Sequence, residues 1–349
     1  MSIKKIISIS VSAMLLATAV SGCGKASKQS SHGNVSEVYT SDTYVFVAKD
    51  IQNTYMQKVY EGFKDACSEI GVDTAYKAPE SPAAEKQAEI IRQLIDQKVK
   101  GIAIAANDEN ALEPVLKEAM DADIKVISLD SAVNKDSRQL HIQQADPEEI
   151  GRKLIQSAYD TVNGNGGIAI LTTTEQATNQ NLWISYMKKE LEENPDKYAS
   201  TPLITTVYGD DDLSKSTTET LSLIDNPNIK VIISPTAVGI NAAGEVLQNT
   251  SHDIRLTGLG MPSQVAPLIE SGICPKVYLW NPLDIGYLAG YALNALDNNQ
   301  ITGKDGDIFQ AGRLGEKIVS TDLEGGTEVI LGDLLEFDIS NINKWKNEY

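Results

Sequence analysis

Two residues of opposite charge each follow directly after an apolar run. Lys49 comes after residues 44–48, and Asp130 comes after residues 125–129. A lysine ammonium provides three hydrogen-bond donors, and an ionised carboxylate provides about four acceptor sites. Because hydrogen bonds that involve a charged group are the stronger ones, the two side chains suit a ligand with several hydroxyl groups. The chemistry that they indicate is the binding of a small neutral polyol.

Amide and indole side chains extend this set further along the chain. Asn179 and Gln180 each carry both donors and acceptors, and Trp183 and Trp280 offer surfaces on which an apolar ring face can pack. The alternative for Trp183 is the core-facing side of a helix predicted over 178–193, and we favour that alternative. For Trp280, which ends a predicted strand, both interpretations stay open.

No motif of a familiar enzyme class accompanies these residues. The sequence has no Gly-x-Gly-x-x-Gly, no Walker A and no Gly-x-Ser-x-Gly. His32, His141 and His252 lie in no context that resembles a base beside a nucleophile, and Asp130 is the one plausible base in the predicted site. The acidic run 210–212 precedes a predicted helix, so helix capping explains it better than a cation site. We therefore expect a binding protein and not an enzyme, with no metal and no cofactor.

Charge and cysteine content exclude further classes. The chain has 48 acidic and 30 basic side chains in 349 residues, which gives a net charge of −18. This balance repels phosphate and counts against nucleic-acid binding. Three cysteines are too few for a disulfide framework. Cys67 and Cys274 are predicted to be buried thiols, and a disulfide at these positions stays an alternative.

The residues with this chemistry are embedded in a regular alternation of strands and helices. The first series has predicted strands at 44–48, 72–76, 101–106 and 125–129 and helices at 53–70, 82–98 and 110–122. The second series has predicted strands at 167–171, 203–208, 230–234, 255–259 and 276–280 and helices at 178–193, 213–225, 238–249 and 262–271. Short, almost continuously apolar strands between helices predict parallel sheets that are covered on both faces.

The two series predict an α/β fold of two similar, doubly wound lobes. In such sheets ligands bind beyond the carboxyl ends of the strands. With two lobes facing each other, this rule places the ligand in the cleft between them. Lys49, Asp130, Pro235 and Trp280 all lie where predicted strands end, so we expect them at this cleft.

The first residues have the character of an export signal. Two lysines precede an apolar run at 6–20, and Ser, Gly and Cys23 follow shortly after it. Residues 20–23 resemble a bacterial lipobox, in which the cysteine becomes lipidated after cleavage. We predict a lipoprotein signal peptide at 1–22, lipidation of Cys23 and a flexible tether at 23–42. An ordinary secretory signal with an incidental cysteine is the alternative.

Seven stretches of the body resemble a known family. From about residue 44 to the C-terminus the chain resembles the type I periplasmic-binding-protein lipoproteins of ABC importers. Within that family it is similar to the branch of autoinducer-2-binding and rhamnose-binding proteins. The stretches that carry the resemblance are 47–49, 103–108, 129–131, 143–147, 179–183, 206–211 and 279–282.

The resemblance to the autoinducer-2 receptors implies a set of ligand-binding positions. Lys49, Asp130 and Gln180 match the pattern of that branch, and so do a proline and an alanine further on. These two are Pro235 and Ala237. The sixth position departs from the pattern, because it carries an asparagine in place of an aspartate.

The rhamnose-binding members resemble this chain at other positions. They share that asparagine, Asn179, and the stretch that begins with Trp280. Their usual threonine is replaced here by Ala237. Because of Ala237 we predict autoinducer-2 as the ligand, with rhamnose or another small sugar as the alternative.

The resemblance also implies an architecture and partners. The first lobe is predicted to comprise 43–144 plus 281–308, and the second lobe 145–280 plus 309–349, with a hinge between them. The closed, ligand-bound form would deliver its ligand to an ABC permease with a separate ATPase. We expect a monomer outside the cytoplasm that is attached to the bacterial cell membrane through its lipid anchor only.

Overall fold

Two mostly parallel sheets organise residues 42–349, the part of the chain that the computed structural model describes. The predicted signal peptide, Cys23 and the tether up to residue 41 lie outside these described residues. No helix within 42–349 combines the length and the apolar character that crossing a bilayer requires.

Strands and helices alternate through most of the described chain. The first run comprises β1 (Thr43–Val47), α1 (Thr54–Ile70), β2 (Asp73–Lys77), α2 (Ala84–Gln97), β3 (Gly101–Ile104), α3 (Glu113–Asp121), β4 (Lys125–Leu129) and β5 (Leu140–Gln143). The second run comprises α4 (Pro147–Thr161), β6 (Gly167–Thr172), α5 (Thr178–Glu193), β7 (Leu203–Tyr208), α6 (Leu213–Ile224), β8 (Ile229–Ser234), α7 (Ala237–Asn249), β9 (Arg255–Leu259), α8 (Pro262–Glu270) and β10 (Lys276–Leu279). The C-terminal part comprises α9 (Pro282–Asp297), β11 (Ile308–Gln310), β12 (Glu316–Ile318), β13 (Ser320–Thr321), β14 (Thr327–Ile330), β15 (Leu335–Asp338) and α10 (Ile342–Trp345).

The first lobe is built on the sheet β13-β14-β5-β4-β3-β1-β2, in which β13 is antiparallel to its neighbour. Strand β1 shows how the sequence covers both faces. Tyr44 and Phe46 pack in the core that α1 and α9 share, whereas Val45 and Val47 pack in the core with α2 and α3. Successive side chains of a strand point to opposite faces, so an uninterrupted apolar run produces a strand that is buried on both sides.

The second lobe repeats this plan with the sheet β15-β10-β9-β8-β6-β7. Its strands pair in parallel except for β15, which is antiparallel to β10. The predicted fold class of two doubly wound α/β lobes is confirmed.

The chain crosses between the lobes at three places in the described residues. It leaves the first sheet after β5, returns after β10 into α9, and leaves again between β14 and β15. This differs from the sequence-based boundary, which assigned 309–349 to the second lobe. Strand β14 pairs in parallel with β5, and Val329 is buried there. The pairing covers an edge of β5 that would otherwise be exposed.

Helices α1 and α9 cross at very close range on one face of the first sheet. A Cβ atom added at Gly62 of α1 would lie 1.8 Å from the backbone oxygen of Leu283, and one added at Gly286 of α9 would lie 1.8 Å from that of Val59. Only glycine permits this approach of the two backbones. The contact fixes the start of α9, and with it the position of Trp280 at the end of the preceding strand.

Candidate ligand-binding cleft

All seven predicted ligand-binding residues line one cavity between the two lobes. They are Lys49, Asp130, Asn179, Gln180, Pro235, Ala237 and Trp280. The cavity is also lined by Asn53, Tyr55, Met56, Trp183, Asp211, Thr236, Leu259 and Leu279. Thus the structure brings the predicted residues together at the carboxyl ends of both sheets, and their roles in ligand binding stay predictions.

Asp130 is the centre of a dense hydrogen-bond network. Its Oδ1 lies 3.0 Å from Nζ of Lys49 and accepts a hydrogen bond of 3.2 Å from Nδ2 of Asn179. Its Oδ2 accepts hydrogen bonds from the Tyr55 hydroxyl at 3.2 Å and from Nε2 of Gln144 at 2.9 Å. The Ser131 hydroxyl adds a longer bond of 3.5 Å to Oδ1, so these donors fill the acceptor sites that a carboxylate offers. One of them, Asn179, belongs to the second lobe, so the carboxylate joins the two lobes directly.

The turn after β4 is what directs Asp130 into the cleft. Its φ of +63° lies in the left-handed region, which aspartate tolerates better than most residues. The residue is almost fully buried, at 4% exposure. Asp130 uses one of the three ammonium donors of Lys49, which leaves donors for a ligand.

Two amide side chains hold the backbone beside Lys49. Nε2 of Gln87 donates to the carbonyl oxygens of Ala48 and Ala105, at 2.9 and 2.8 Å. Nδ2 of Asn107 donates to the carbonyl oxygen of Lys49 at 2.9 Å. These bonds tie the ends of β1 and β3 together and thereby fix the position from which the lysine reaches the cleft.

Aromatic rings form one wall of the cavity. Nε1 of Trp280 donates to the Tyr55 hydroxyl at 2.7 Å, and the ring centroids of Trp183 and Trp280 are 5.8 Å apart. Burial raises the pKa of Tyr55 well above its usual value, so the hydroxyl stays protonated and donates to Asp130.

Trp183 combines the two roles that the sequence analysis set against each other. It is 2% exposed, which confirms the predicted core position on α5, and it also lines the cavity. Its indole Nε1 has no hydrogen-bond partner among the described residues. A buried donor without a partner costs about 1–3 kcal/mol.

The start of α5 supplies amide groups from the second lobe. Oε1 of Gln180 accepts from the Thr172 hydroxyl at 2.5 Å and from the backbone N–H of Thr173 at 3.1 Å. Oδ1 of Asn179 accepts from the backbone N–H of Gln180 at 2.8 Å. The side-chain oxygens of both amides therefore accept hydrogen bonds within the second lobe. Their NH2 groups are left to donate elsewhere, as Nδ2 of Asn179 does to Asp130.

The three consecutive aspartates before α6 have different environments. Asp212 caps the helix by accepting from the backbone N–H of Lys215 at 2.7 Å, as predicted, and Asp210 pairs with the side chain of Lys215. Asp211 instead lines the cleft. The sequence analysis missed it because one explanation was applied to all three residues. The signal was present, since a helix start needs only one capping side chain.

His141 and the two described cysteines have structural positions. His141 is bonded to the Ser128 hydroxyl and to Oε1 of Gln143, and burial lowers its pKa to about 3. Cys67 and Cys274 are buried free thiols, which confirms the prediction for both.

Comparison with known proteins identifies the family. A model described as a periplasmic binding protein domain matches residues 44–301. The crystal structure of an ABC transporter solute binding protein from Clostridium phytofermentas, with bound L-rhamnose, is 40% identical, with a TM-score of 0.85, and the match covers 89% of this chain and 99% of that chain. A sugar ABC transporter from Actinomyces odontolyticus is 34% identical, with a TM-score of 0.70, over 87% of this chain and 97% of that chain.

A further structure shares the fold at lower identity. LsrB from Clostridium saccharobutylicum, in complex with AI-2, is 20% identical, with a TM-score of 0.80, over 87% of this chain and 99% of that chain. Since the family model matches well over half of the sequence, and two relatives are at least 34% identical over most of it, the chain belongs to the periplasmic binding protein family, among the solute-binding proteins of ABC transporters.

Proposed function

We propose that this protein binds a small neutral sugar outside the cytoplasm for an ABC importer, and that L-rhamnose is the ligand. The observation that carries the proposal is the rhamnose complex of the 40% identical relative. Asn179 and Trp280 are the positions at which the chain resembles the rhamnose-binding members. Both line the cleft, which supports the proposal. The predicted preference for autoinducer-2 becomes the second candidate.

The cleft chemistry supports a hydroxylated and uncharged ligand. Lys49 and Asp130 balance each other's charge while keeping strong donors at the cavity. The rings of Trp183 and Trp280 offer an apolar surface beside these polar groups. A sugar presents the same combination of hydroxyl edges and a less polar ring face.

Autoinducer-2 is favoured by a specific residue. Ala237 agrees with the autoinducer-2 receptors and lacks the hydroxyl group that the rhamnose-binding members usually carry at this position. Lys49, Asp130, Gln180 and Pro235 agree with the same receptors. The similar structure of the LsrB complex with AI-2 is consistent with this second candidate.

Ligand binding between the lobes stabilises the closed arrangement of the cleft. Asp130 already reaches Asn179 across it, and Nε2 of Gln264 donates to the Thr54 hydroxyl at 2.9 Å from the opposite lobe. A ligand that contacts both lobes adds further bonds only when they are closed, and it shifts the equilibrium by its difference in affinity for the two states. The closed form then docks on the permease, which a separate ATPase drives.

L-rhamnose is expected to raise the melting temperature. At a concentration one hundred times Kd, a ligand that binds only the folded protein stabilises it by about 2.7 kcal/mol, which corresponds to a shift of roughly 4 °C for a chain of this size. Differential scanning fluorimetry with L-rhamnose, autoinducer-2 and sorbitol, followed by calorimetric titration, measures this. A larger shift with autoinducer-2 would favour the second candidate. Equal, negligible shifts with all three would contradict both.

The N-terminal cysteine is the proposed point of membrane attachment. We expect Cys23→Ser to abolish lipidation, because a hydroxyl group cannot replace the thiol in the thioether bond. In a detergent phase-partition assay the unaltered protein enters the detergent phase, whereas the variant stays aqueous or keeps its signal peptide. A variant that still partitions as a lipoprotein would exclude Cys23 as the attachment site. Cys67→Ser, at a buried thiol, is the matched control and should partition normally.

A further inference from the structure

Asp211 stands at the cleft on the second lobe, opposite the Lys49–Asp130 pair. Its Oδ1 accepts a hydrogen bond from the Thr236 hydroxyl at 2.8 Å, and its Oδ2 accepts one from Nδ2 of Asn53 at 3.3 Å. Burial raises the pKa of Asp211, while the nearby charge of Lys49 acts to lower it. The carboxylate is therefore within electrostatic reach of the first lobe's lysine.

The two cleft carboxylates differ in how much acceptor capacity they have left. Asp130 accepts from Lys49, Asn179, Tyr55 and Gln144, and at 3.5 Å from the Ser131 hydroxyl, so none of its four sites is left. Asp211 has one hydrogen-bond donor on each oxygen, so about two acceptor sites remain. By this accounting Asp211, and not Asp130, has the free carboxylate lone pairs in the cavity.

The backbone around Asp211 is held in an uncommon conformation. Asp210 and Asp211 have φ values of +53° and +55°, two successive residues in the left-handed region. Such a conformation has an energetic cost for residues with a Cβ, and aspartate is among those that tolerate it best. The turn gives the neighbouring aspartates different directions. Asp211 lies at the cleft, and Asp212 caps α6.

A second observation indicates that this side of the cavity lacks a partner. Trp183 lines the same cavity, its residue is 2% exposed, and its buried indole Nε1 has no hydrogen-bond partner among the described residues. The second lobe thus contributes to one cavity wall both a carboxylate with unused acceptor capacity and an indole whose N–H has no partner.

We propose that Asp211 is a ligand-binding residue of the second lobe, which accepts a hydrogen bond from a sugar hydroxyl and so selects ligands with hydroxyl groups directed at both lobes. The inference rests on the proposed sugar-binding function. It assigns the charged acceptor for the ligand to the second lobe, whereas Asp130 holds the first-lobe donors in place.

A purely structural role for Asp211 would give a different pattern of effects. The bond from Asn53 joins the two lobes, so the carboxylate would then act only by favouring closure. Loss of closure weakens all ligands by the same factor. Loss of one hydroxyl contact weakens only those ligands that carry that hydroxyl group.

The test compares Asp211→Asn with Asp212→Asn by calorimetric titration of L-rhamnose. Asp211→Asn keeps the shape and is expected to weaken binding about tenfold to a hundredfold, the range for a lost hydrogen bond to a charged group. Asp212→Asn removes the same charge one residue away and should leave affinity within about twofold. Gln264→Ala removes an interlobe hydrogen bond outside the cavity and measures what weakened closure alone does.

Monodeoxy analogues of L-rhamnose identify the contact itself. For the unaltered protein, one analogue should bind more weakly than L-rhamnose. For Asp211→Asn, the same analogue and L-rhamnose should bind with equal affinity, because the deleted hydroxyl group and the carboxylate are partners. If every analogue is weakened equally in both proteins, or if Asp211→Asn binds L-rhamnose unchanged, the inference is overturned. A failure of the proposed function is distinct, since the unaltered protein would then bind none of these sugars.

Discussion

Asp130→Asn should weaken sugar binding about tenfold to a hundredfold and lower the melting temperature by several degrees. The amide keeps the shape of the side chain but places an NH2 group among four donors, those of Lys49, Asn179, Tyr55 and Gln144. Each charge-assisted bond that is lost costs about 1.5–3 kcal/mol, and the Lys49 ammonium loses its partner. Calorimetric titration of L-rhamnose and a thermal melt of the same sample measure the two effects.

The expected loss of stability in Asp130→Asn differs from what the sequence alone would suggest. Sequence reasoning alone suggests that a cleft carboxylate can be neutralised without affecting folding, but the structure places this one at 4% exposure with donors from both lobes. Asp123→Asn is the matched control, because Asp123 precedes the same strand and its side chain is 93% exposed. Unchanged affinity in Asp130→Asn would mean that the network does not organise the ligand site.

Gly286→Ala is expected to lower the melting temperature by roughly 2–5 °C. The new Cβ atom would lie 1.8 Å from the carbonyl oxygen of Val59, so α1 and α9 must move apart. Overpacking of this kind costs about 1–3 kcal/mol, and a contact with backbone cannot be relieved by a side-chain rotation. Ligand affinity should fall as well, because α9 follows directly after Trp280.

Gly332→Ala is the control for the glycine substitution. A Cβ atom at this position meets no other atom within 4 Å, so we expect no loss of stability. The same melting experiment on both variants separates steric overlap from the general effect of replacing glycine on the unfolded chain. Equal melting temperatures for the two variants would show that α1 and α9 can separate at little cost.

Apolar pattern was sufficient to predict the elements that carry the site. Helix α5 occupies the predicted 178–193, and β4, β7 and β9 occupy their predicted ranges. These elements have strong apolar signals bounded by turns, and position along the chain then places side chains at the carboxyl edge of a sheet. For this reason the apolar pattern alone is enough to bring Lys49 and Asp130 to the same edge of the first lobe.

Strand β5 and the C-terminal strands were less predictable. In β5 the polar residues His141 and Gln143 are buried because they bond to each other, and His141 also bonds to Ser128. The strand has only two apolar residues, Leu140 and Ile142, and the bonds that allow its polar side chains to be buried are not visible in the sequence pattern. Asp211 was missed because helix capping was applied to all three aspartates, although one capping side chain is enough, and its left-handed turn places it at the cleft instead.

The three crossings between the lobes also determine when the protein can fold during its synthesis. The first sheet takes a strand from 327–330 and the second takes one from 335–338, so each lobe is incomplete until nearly the whole described chain has been made. A chain that is still attached to the ribosome or to an export channel therefore lacks strand pairs in both lobes at once. Contacts of such long sequence separation slow folding. Delayed completion of this kind keeps the polypeptide unfolded for longer, which is the state in which a secretory channel can thread it.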